Sequence, residues 1–425
     1  MRSARADHHA FQRDIVAIKR RSSASPWRAL GPGIISGASD NDPTTVASLA
    51  VIGSTTIYGL GWLVVLVIPM LAVVQMISSQ IAVVTRRNLE DDAQHYYGRV
   101  VAYIMMIAVL AVNFVTLVAD IEGGGAAMQV LTGIDYRTWI LPVAVVSLLI
   151  LIFGNYQRIK QILLILPLVF LAYPIALILA RPNWHAVLIN TFVPHFQRTQ
   201  DYASGAIALL GTTLTAYAYV WQSVEAAQER VPIRRLGLIQ VDALLGTIVA
   251  GISFWAITMA TGATLGIHHK TVDTAAEAAE ALRPLAGNHA ALLFGIGLLG
   301  SSLLAVPVLI ATSAYVARTI YGWHATLDTR WWRGAHFYAF MIALTVMAST
   351  MAFAGASPIK VLFIASIIGG LATPITLVIM LLIGRNHRAM ARKPISPALA
   401  ASGWIVTAIV TLAALVFLVT TFVHH

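Results

Sequence analysis

The sequence contains no cysteine, which excludes disulfide scaffolds, thiolate metal sites and thiol redox chemistry. Charge is the next shortage. Asp, Glu, Lys and Arg together make up 11% of the 425 residues, where a soluble chain carries about 25%. A chain so poor in charge cannot clothe a soluble surface. With 58% hydrophobic residues and a mean hydropathy of +0.78, it reads as an all-α polytopic membrane protein whose main partner is the lipid bilayer. Acidic residues are the scarcest charged class, 18 against 28 basic, for a net charge of +10. The basic residues are dispersed between apolar runs rather than gathered in a patch, so nucleic acid is excluded as a partner. No metalloprotease motif and no nucleophile elbow is present, and nothing points to an enzyme or to a resident cofactor.

What is there is a succession of apolar runs. A membrane-spanning helix needs about 20 apolar residues. By that measure eleven helices are expected, at 29–57 (interrupted), 61–84, 100–131, 137–154, 159–180, 202–228, 236–266, 289–318, 334–355, 358–384 and 399–423. Residues 1–28 are polar and basic and read as a cytoplasmic tail, and 29–425 as a single transmembrane domain. With the N-terminus in the cytoplasm, 22 of the 28 Lys and Arg residues fall on the cytoplasmic side, as the positive-inside rule requires. The expected location is therefore the cell (inner) membrane, multi-pass, with the C-terminus outside. Two outer loops, 181–201 and 267–288, are long enough for structure of their own, and the second has helix-forming composition around Ala275 to Leu282.

The chain is organised around Asp40, Asn41, Asp42 and Pro43, which interrupt the first span at its middle. A carboxylate at that depth is costly and is a functional-site candidate by default. Pro43 removes a backbone donor and disfavours a helical Asp42, so the helix is expected to break where the charge sits. Asp42 is the principal candidate; Asp40 is a second ligand or a cap for the helix that follows. Five spans later a second disruption is expected, in a hydroxyl-rich stretch holding Thr212, Thr213, Thr215 and Tyr217. Two broken helices five apart are what inverted five-helix repeats produce, with substrate at the midplane between the breaks. The repeats would cover about 29–180 and 202–384, with an extra helix at 399–423.

Several of these stretches resemble the Nramp family of divalent-metal transporters, and more closely its magnesium-transporting branch. They are Gly31-Pro32-Gly33 leading to Asp40-Asn41-Asp42-Pro43, Leu210 to Thr213 with Tyr217, Trp221 and Gln222, the run from Ala275 to Leu285, and Leu303 to Val308. The resemblance implies two inverted five-helix repeats with broken first and sixth helices and an appended eleventh. It also implies a metal site. Asp42 falls on the family's metal-binding Asp, and Thr45 falls on its Asn ligand. Thr215 stands where the family has its soft Met ligand, with Ala216 and Tyr217 at the following Pro and His. Thr212 stands near a carbonyl donor. Asp120 matches an Asp linked to proton release, whereas its partner Glu is Gly123 here. Gly369 stands where the magnesium branch has an Asn.

These departures have chemical consequences. Without thioether sulfur, an all-oxygen set suits magnesium or manganese better than softer metals. One sure carboxylate among hydroxyls fits a hydrated ion. Tyr217 in place of His removes the side chain best suited to titrate near neutral pH, which argues against proton coupling. The expected function is thus a secondary transporter or uniporter for a hard divalent cation. The alternative is a small organic cation or amino acid on the same fold, held by Asp42 with cation–π contacts from Tyr217, Tyr219 and Trp221. Asp120, Glu122 and Glu225 remain as a second acidic site or pathway. Asp120 and Glu122 lie about 200° apart on their helix, so at most one faces the central cavity. For Glu225, a gate or inner-vestibule role competes with a solvated helix end.

Overall fold

The computed structural model describes residues 41–153, 169–170, 172–228, 232–327, 329–354 and 357–423. The basic tail, the first part of the first span with Asp40, the end of the fourth span at 154, and residues 159–168 and 171 of the fifth lie outside the described residues.

The described chain is helical, and its helix ends follow local chemistry. Helix α1 (Pro43–Thr56) starts where Asp42 turns extended and accepts the backbone N–H of Thr45, with Pro43 in the first turn. Proline is preorganised for that position and lacks a donor that would be orphaned there. Helix α2 (Gly61–Thr85) ends on Arg86 in the left-handed conformation. Helix α3 (Leu89–Thr132) starts on Asn88, whose side chain accepts the N–H of Asp91. It therefore begins eleven residues before the expected span. Gly98, at φ +84° with no neighbour crowding it, turns the polar segment 89–97 away from the apolar span proper. Only glycine adopts that backbone readily.

There follow α4 (Tyr136–Phe153), α5 (Ala172–Leu179), α6 (Trp184–Phe192), α7 (Gln200–Thr213), α8 (Ala216–Gln228), α9 (Leu236–Thr264), α10 (Ala275–Ala279), α11 (Ala290–Tyr321), α12 (Ala335–Phe353), α13 (Pro358–Arg385) and α14 (Pro397–Val423). Among the described residues nine stretches are long and apolar enough to cross a membrane, α7 and α8 counting as one broken span. Helices α1 and α5 fall within two further spans expected from the sequence. The outer loop 181–201 holds α6. The loop 267–288 holds α10, which Thr274 and Glu277 close with a reciprocal capping box.

Burial orders the helices. The α7–α8 span is 83% buried across its most apolar window, α14 only 22%, so the broken span lies innermost and α14 is an outrigger resting on α13, α7 and α2. Helix α3 packs along α11 and α13, while α1 sits among α7, α9 and α13. Small residues let these helices approach closely. A side chain on Gly211 would come within 1.9 Å of the Ser366 carbonyl oxygen and 2.2 Å of the Gly370 nitrogen, so α7 and α13 touch backbone to backbone.

Candidate functional site

The site forms where α1 begins and α7 ends. Leu214, at φ −102° and ψ 29°, stops α7, and α8 restarts at Ala216. A helix end leaves carbonyl oxygens without intrahelical partners and carries the negative pole of the helix dipole. Both features favour a cation at the end of α7.

Asp42 is 2% exposed and both of its oxygens are engaged. Oδ1 accepts the backbone N–H of Thr45 at 2.6 Å, and Oδ2 accepts the Tyr217 hydroxyl at 2.5 Å. The Thr45 hydroxyl lies 2.8 Å from that of Thr212, joining α1 to α7. One turn further, the hydroxyls of Ser48 and Ser366 are 2.6 Å apart, joining α1 to α13. A narrow void, too tight for a water molecule, is lined by Asp42, Thr44, Thr212, Thr215, Ser366 and Gly369, among others. The structure thus brings Asp42, Thr212 and Thr215 together around one void, with Thr45 hydrogen-bonded to Thr212 and Tyr217 to Asp42 beside it.

Asp120 reaches the same place from α3. Its Oδ1 accepts both the backbone N–H and the hydroxyl of Thr44, at 3.1 and 2.5 Å, while its own carbonyl accepts Ser302 of α11 at 2.8 Å. Its second carboxyl oxygen has no hydrogen-bond partner. Two buried carboxyl groups therefore flank the first turn of α1, and neither makes an ion pair among the described residues. A buried acid with no cationic partner is expensive, and a bound cation relieves that cost.

The remaining acids lie apart from this void. Glu122 is fully buried with no hydrogen-bond partner, and Arg137 at the start of α4 acts on it electrostatically. Glu225 is partly exposed, eight residues beyond Tyr217 along α8. Asp40 lies outside the described residues. Sequence reasoning passed over Thr44, Thr116, Ser48 and Ser366. Thr116 had a signal, since it stands four residues before Asp120 on the same helix face. Ser366 had none, because its place opposite Ser48 depends on how α13 crosses α1.

Residues 33–420 match the Nramp family model, described as natural resistance-associated macrophage protein-like. The chain belongs to this family. Curated Nramp relatives include the divalent metal cation transporter MntH of Deinococcus radiodurans, 25% identical over 398 residues that cover 90% of this chain and 87% of that protein. The protein of the same name from Caldanaerobacter subterraneus is 24% identical over 375 residues, covering 85% of each. Among solved structures, the Eremococcus coleocola manganese transporter in complex with an aromatic bis-isothiourea compound superposes with a TM-score of 0.72 at 16% identity, over 92% of this chain and 87% of that one. MhsT in complex with L-phenylalanine superposes with a TM-score of 0.61 at 15% identity, over 94% and 98%. At such identities the likeness is one of fold, the inverted-repeat transporter architecture with broken first and sixth helices. The chain is a transporter of the Nramp family and not an enzyme.

Proposed function

We propose that this protein carries a hard divalent cation across the cell membrane, with the ion held between the start of α1 and the α7–α8 break. Asp42 is the charged ligand. Thr45, Thr212 and Thr215 supply neutral oxygens, and Tyr217 governs access to Asp42. The carrying observation is the buried Asp42 carboxylate at the break, set among hydroxyl oxygens with no basic side chain in ion-pair contact among the described residues. An all-oxygen donor set favours manganese or magnesium over softer ions. The void supports manganese in first place. It leaves no space for a water shell in this structure, and magnesium sheds water reluctantly. The hydrated ion expected from sequence alone would thus have to lose its shell, or the site would have to open around it.

In this reading residues 1–28 are a cytoplasmic tail, 29–425 form one membrane domain, and the C-terminus lies outside. Asp120 steadies α1 through Thr44 and adds negative charge beside the ion, while Glu122 and Glu225 belong to the approaches. Among the described residues no histidine stands beside Asp42, which supports uniport driven by membrane potential over proton exchange.

The test is uptake into liposomes of manganese, magnesium and arginine by the purified protein, with Asp42→Ala as the control. The expected result is manganese uptake in the wild type, lost in the variant, with no arginine uptake. Absent metal uptake, or uptake unchanged in Asp42→Ala, refutes the proposal; arginine uptake sensitive to Asp42→Ala would favour the organic-cation alternative. A pH dye inside the liposomes is expected to stay silent during uptake, and acidification tracking the metal would refute uniport.

A further inference from the structure

The opposite chemistry gathers at the end of the bundle where α2 turns into α3. Arg86 terminates α2 in a left-handed conformation and Arg87 follows it, before Asn88 caps α3. The ends of α8 and α11 close over this corner. Together they enclose a cavity of about 340 Å3 whose polar lining includes Arg86, Arg87, Asn88, Asp91, Gln228 and Arg318. That volume lies within the usual range for small-ligand sites, about 300–1,000 Å3.

The charges lining this cavity are three arginines and one carboxylate, with the buried Glu90 and Asp92 of the same α3 turn acted on by Arg318 and Arg87, and the lining carboxylate is already engaged. Asp91 accepts Arg318 Nη2 at 3.0 Å on one oxygen and the Thr319 hydroxyl at 2.7 Å on the other. Arg318 is held further by stacking 5.3 Å above the Tyr315 ring. Tyr315 in turn accepts Gln228 of α8 at 2.5 Å and the backbone N–H of Leu327. One arginine is therefore fixed in place, while Arg86 and Arg87 make no ion pair among the described residues. A second cavity of about 460 Å3 shares Arg87 and Asp91 and continues along the first turns of α3 past Gln94 and His95. Donors thus extend beyond the three guanidinium groups.

Guanidinium forks match the oxygens of a phosphate group and bind it in pairs. We infer that the cavity formed by the α2–α3 corner and the ends of α8 and α11 is a binding site for a phosphate-bearing anion, with Arg86, Arg87 and Arg318 as its donors. The phosphate belongs either to a soluble ligand such as a nucleotide or to the headgroup of an anionic lipid; the chemistry is shared. The site is independent of the proposed cation site. Helix α8 runs between the two, with Tyr217 near one end and Gln228 at the other. An anion here ties α8 to α11 through the same groups as the Gln228–Tyr315 bond.

The test uses the full chain and two kinds of probe. Inorganic phosphate and ATP are titrated into protein in phospholipid-free micelles by calorimetry. Phosphatidylglycerol and phosphatidylcholine are compared by native mass spectrometry of protein in mixed micelles. Binding of the soluble probes, weakened at least tenfold in the double variant Arg86→Gln/Arg87→Gln, supports a soluble ligand. Retention of phosphatidylglycerol over phosphatidylcholine, lost in the same variant while the soluble probes do not bind, supports a lipid headgroup. Arg318→Lys, which can keep the contact with Asp91 but loses the fork, is expected to weaken the same probe severalfold. Affinities equal in wild type and double variant for every probe would overturn the inference. Unchanged size-exclusion profile and melting temperature certify the fold of the variants, whose two substituted side chains are exposed at the surface. Asp42→Ala is expected to keep anion binding intact, so failure of the cation proposal and failure of this one are distinguishable.

Discussion

Tyr217 occupies the oxygen of Asp42 that a cation would need. Its hydroxyl donates to Oδ2 at 2.5 Å, so ion binding must displace a charge-assisted hydrogen bond worth about 1.5 kcal/mol or more. Tyr217→Phe is therefore expected to lower the apparent KM for manganese, by up to about tenfold if the whole bond is released. A KM that rises instead would make the hydroxyl a ligand rather than a competitor. Thr215 tests the donor set itself. It lines the void where a thioether stands in many Nramp proteins, and Thr215→Met introduces a soft sulfur without changing charge. The ratio of cadmium to magnesium uptake is expected to rise severalfold, and competition assays in liposomes measure it. Of these two side chains, only the position of Thr215 could be argued from its neighbours in the chain. That Tyr217 caps Asp42, 175 residues away, depends on the angle at which α8 leaves the break.

At the scale of elements, the breaks were legible and the crossings were not. Pro43 after Asp42 favours a helix start there, because proline suits the first helical turn and Asp42 can cap it. Pro69, Pro142, Pro307 and Pro374 are nevertheless carried inside helices elsewhere in the chain. The α7–α8 break carried a weaker signal, a cluster of hydroxyl side chains, and no proline marks it. The polar segment 89–97 lies before the expected apolar span and carries no hydropathy signal of its own. Asn88 caps it as a helix, and Gly98 at φ +84° kinks the chain between that helix and the span. The α7–α13 contact shows how tightly the crossings constrain sequence. Gly211→Ala would place a methyl group 1.9 Å from the Ser366 carbonyl, backbone that cannot move aside. The expected cost is about 3 kcal/mol through forced separation of the helices, read as a lowered melting temperature in detergent. Uptake should fall with it, since Gly211, Ser366 and Gly369 all line the void. An unchanged melting temperature would mean that the helices already stand apart.

The whole molecule joins an acid-centred interior to an arginine-rich end, and the absence of cysteine makes its orientation easy to examine. Single cysteines at exposed positions report sidedness without any background thiol. In intact cells a membrane-impermeant maleimide is expected to label Thr271→Cys, in the loop before α10, and to leave His95→Cys, near the start of α3, unlabelled. The reverse pattern would invert the membrane orientation, and with it the placement of the arginine cavity on the cytoplasmic side.

The membrane class, the helix count and the position of the first break follow from sequence alone, because hydropathy, charge and proline act locally and need no partner. The Nramp family was legible too, through short motifs whose residues stand close together along the chain. Which oxygens surround Asp42 was decided only by tertiary structure. Thr45 meets Thr212, Ser48 meets Ser366 and Thr44 meets Asp120 across 167, 318 and 76 residues, and such pairings depend on helix rotation and crossing angle. The same holds for the arginine cavity. Arg86 and Arg87 read as ordinary cytoplasmic-side charges until α8 and α11 close over them and bring Arg318 to the same space.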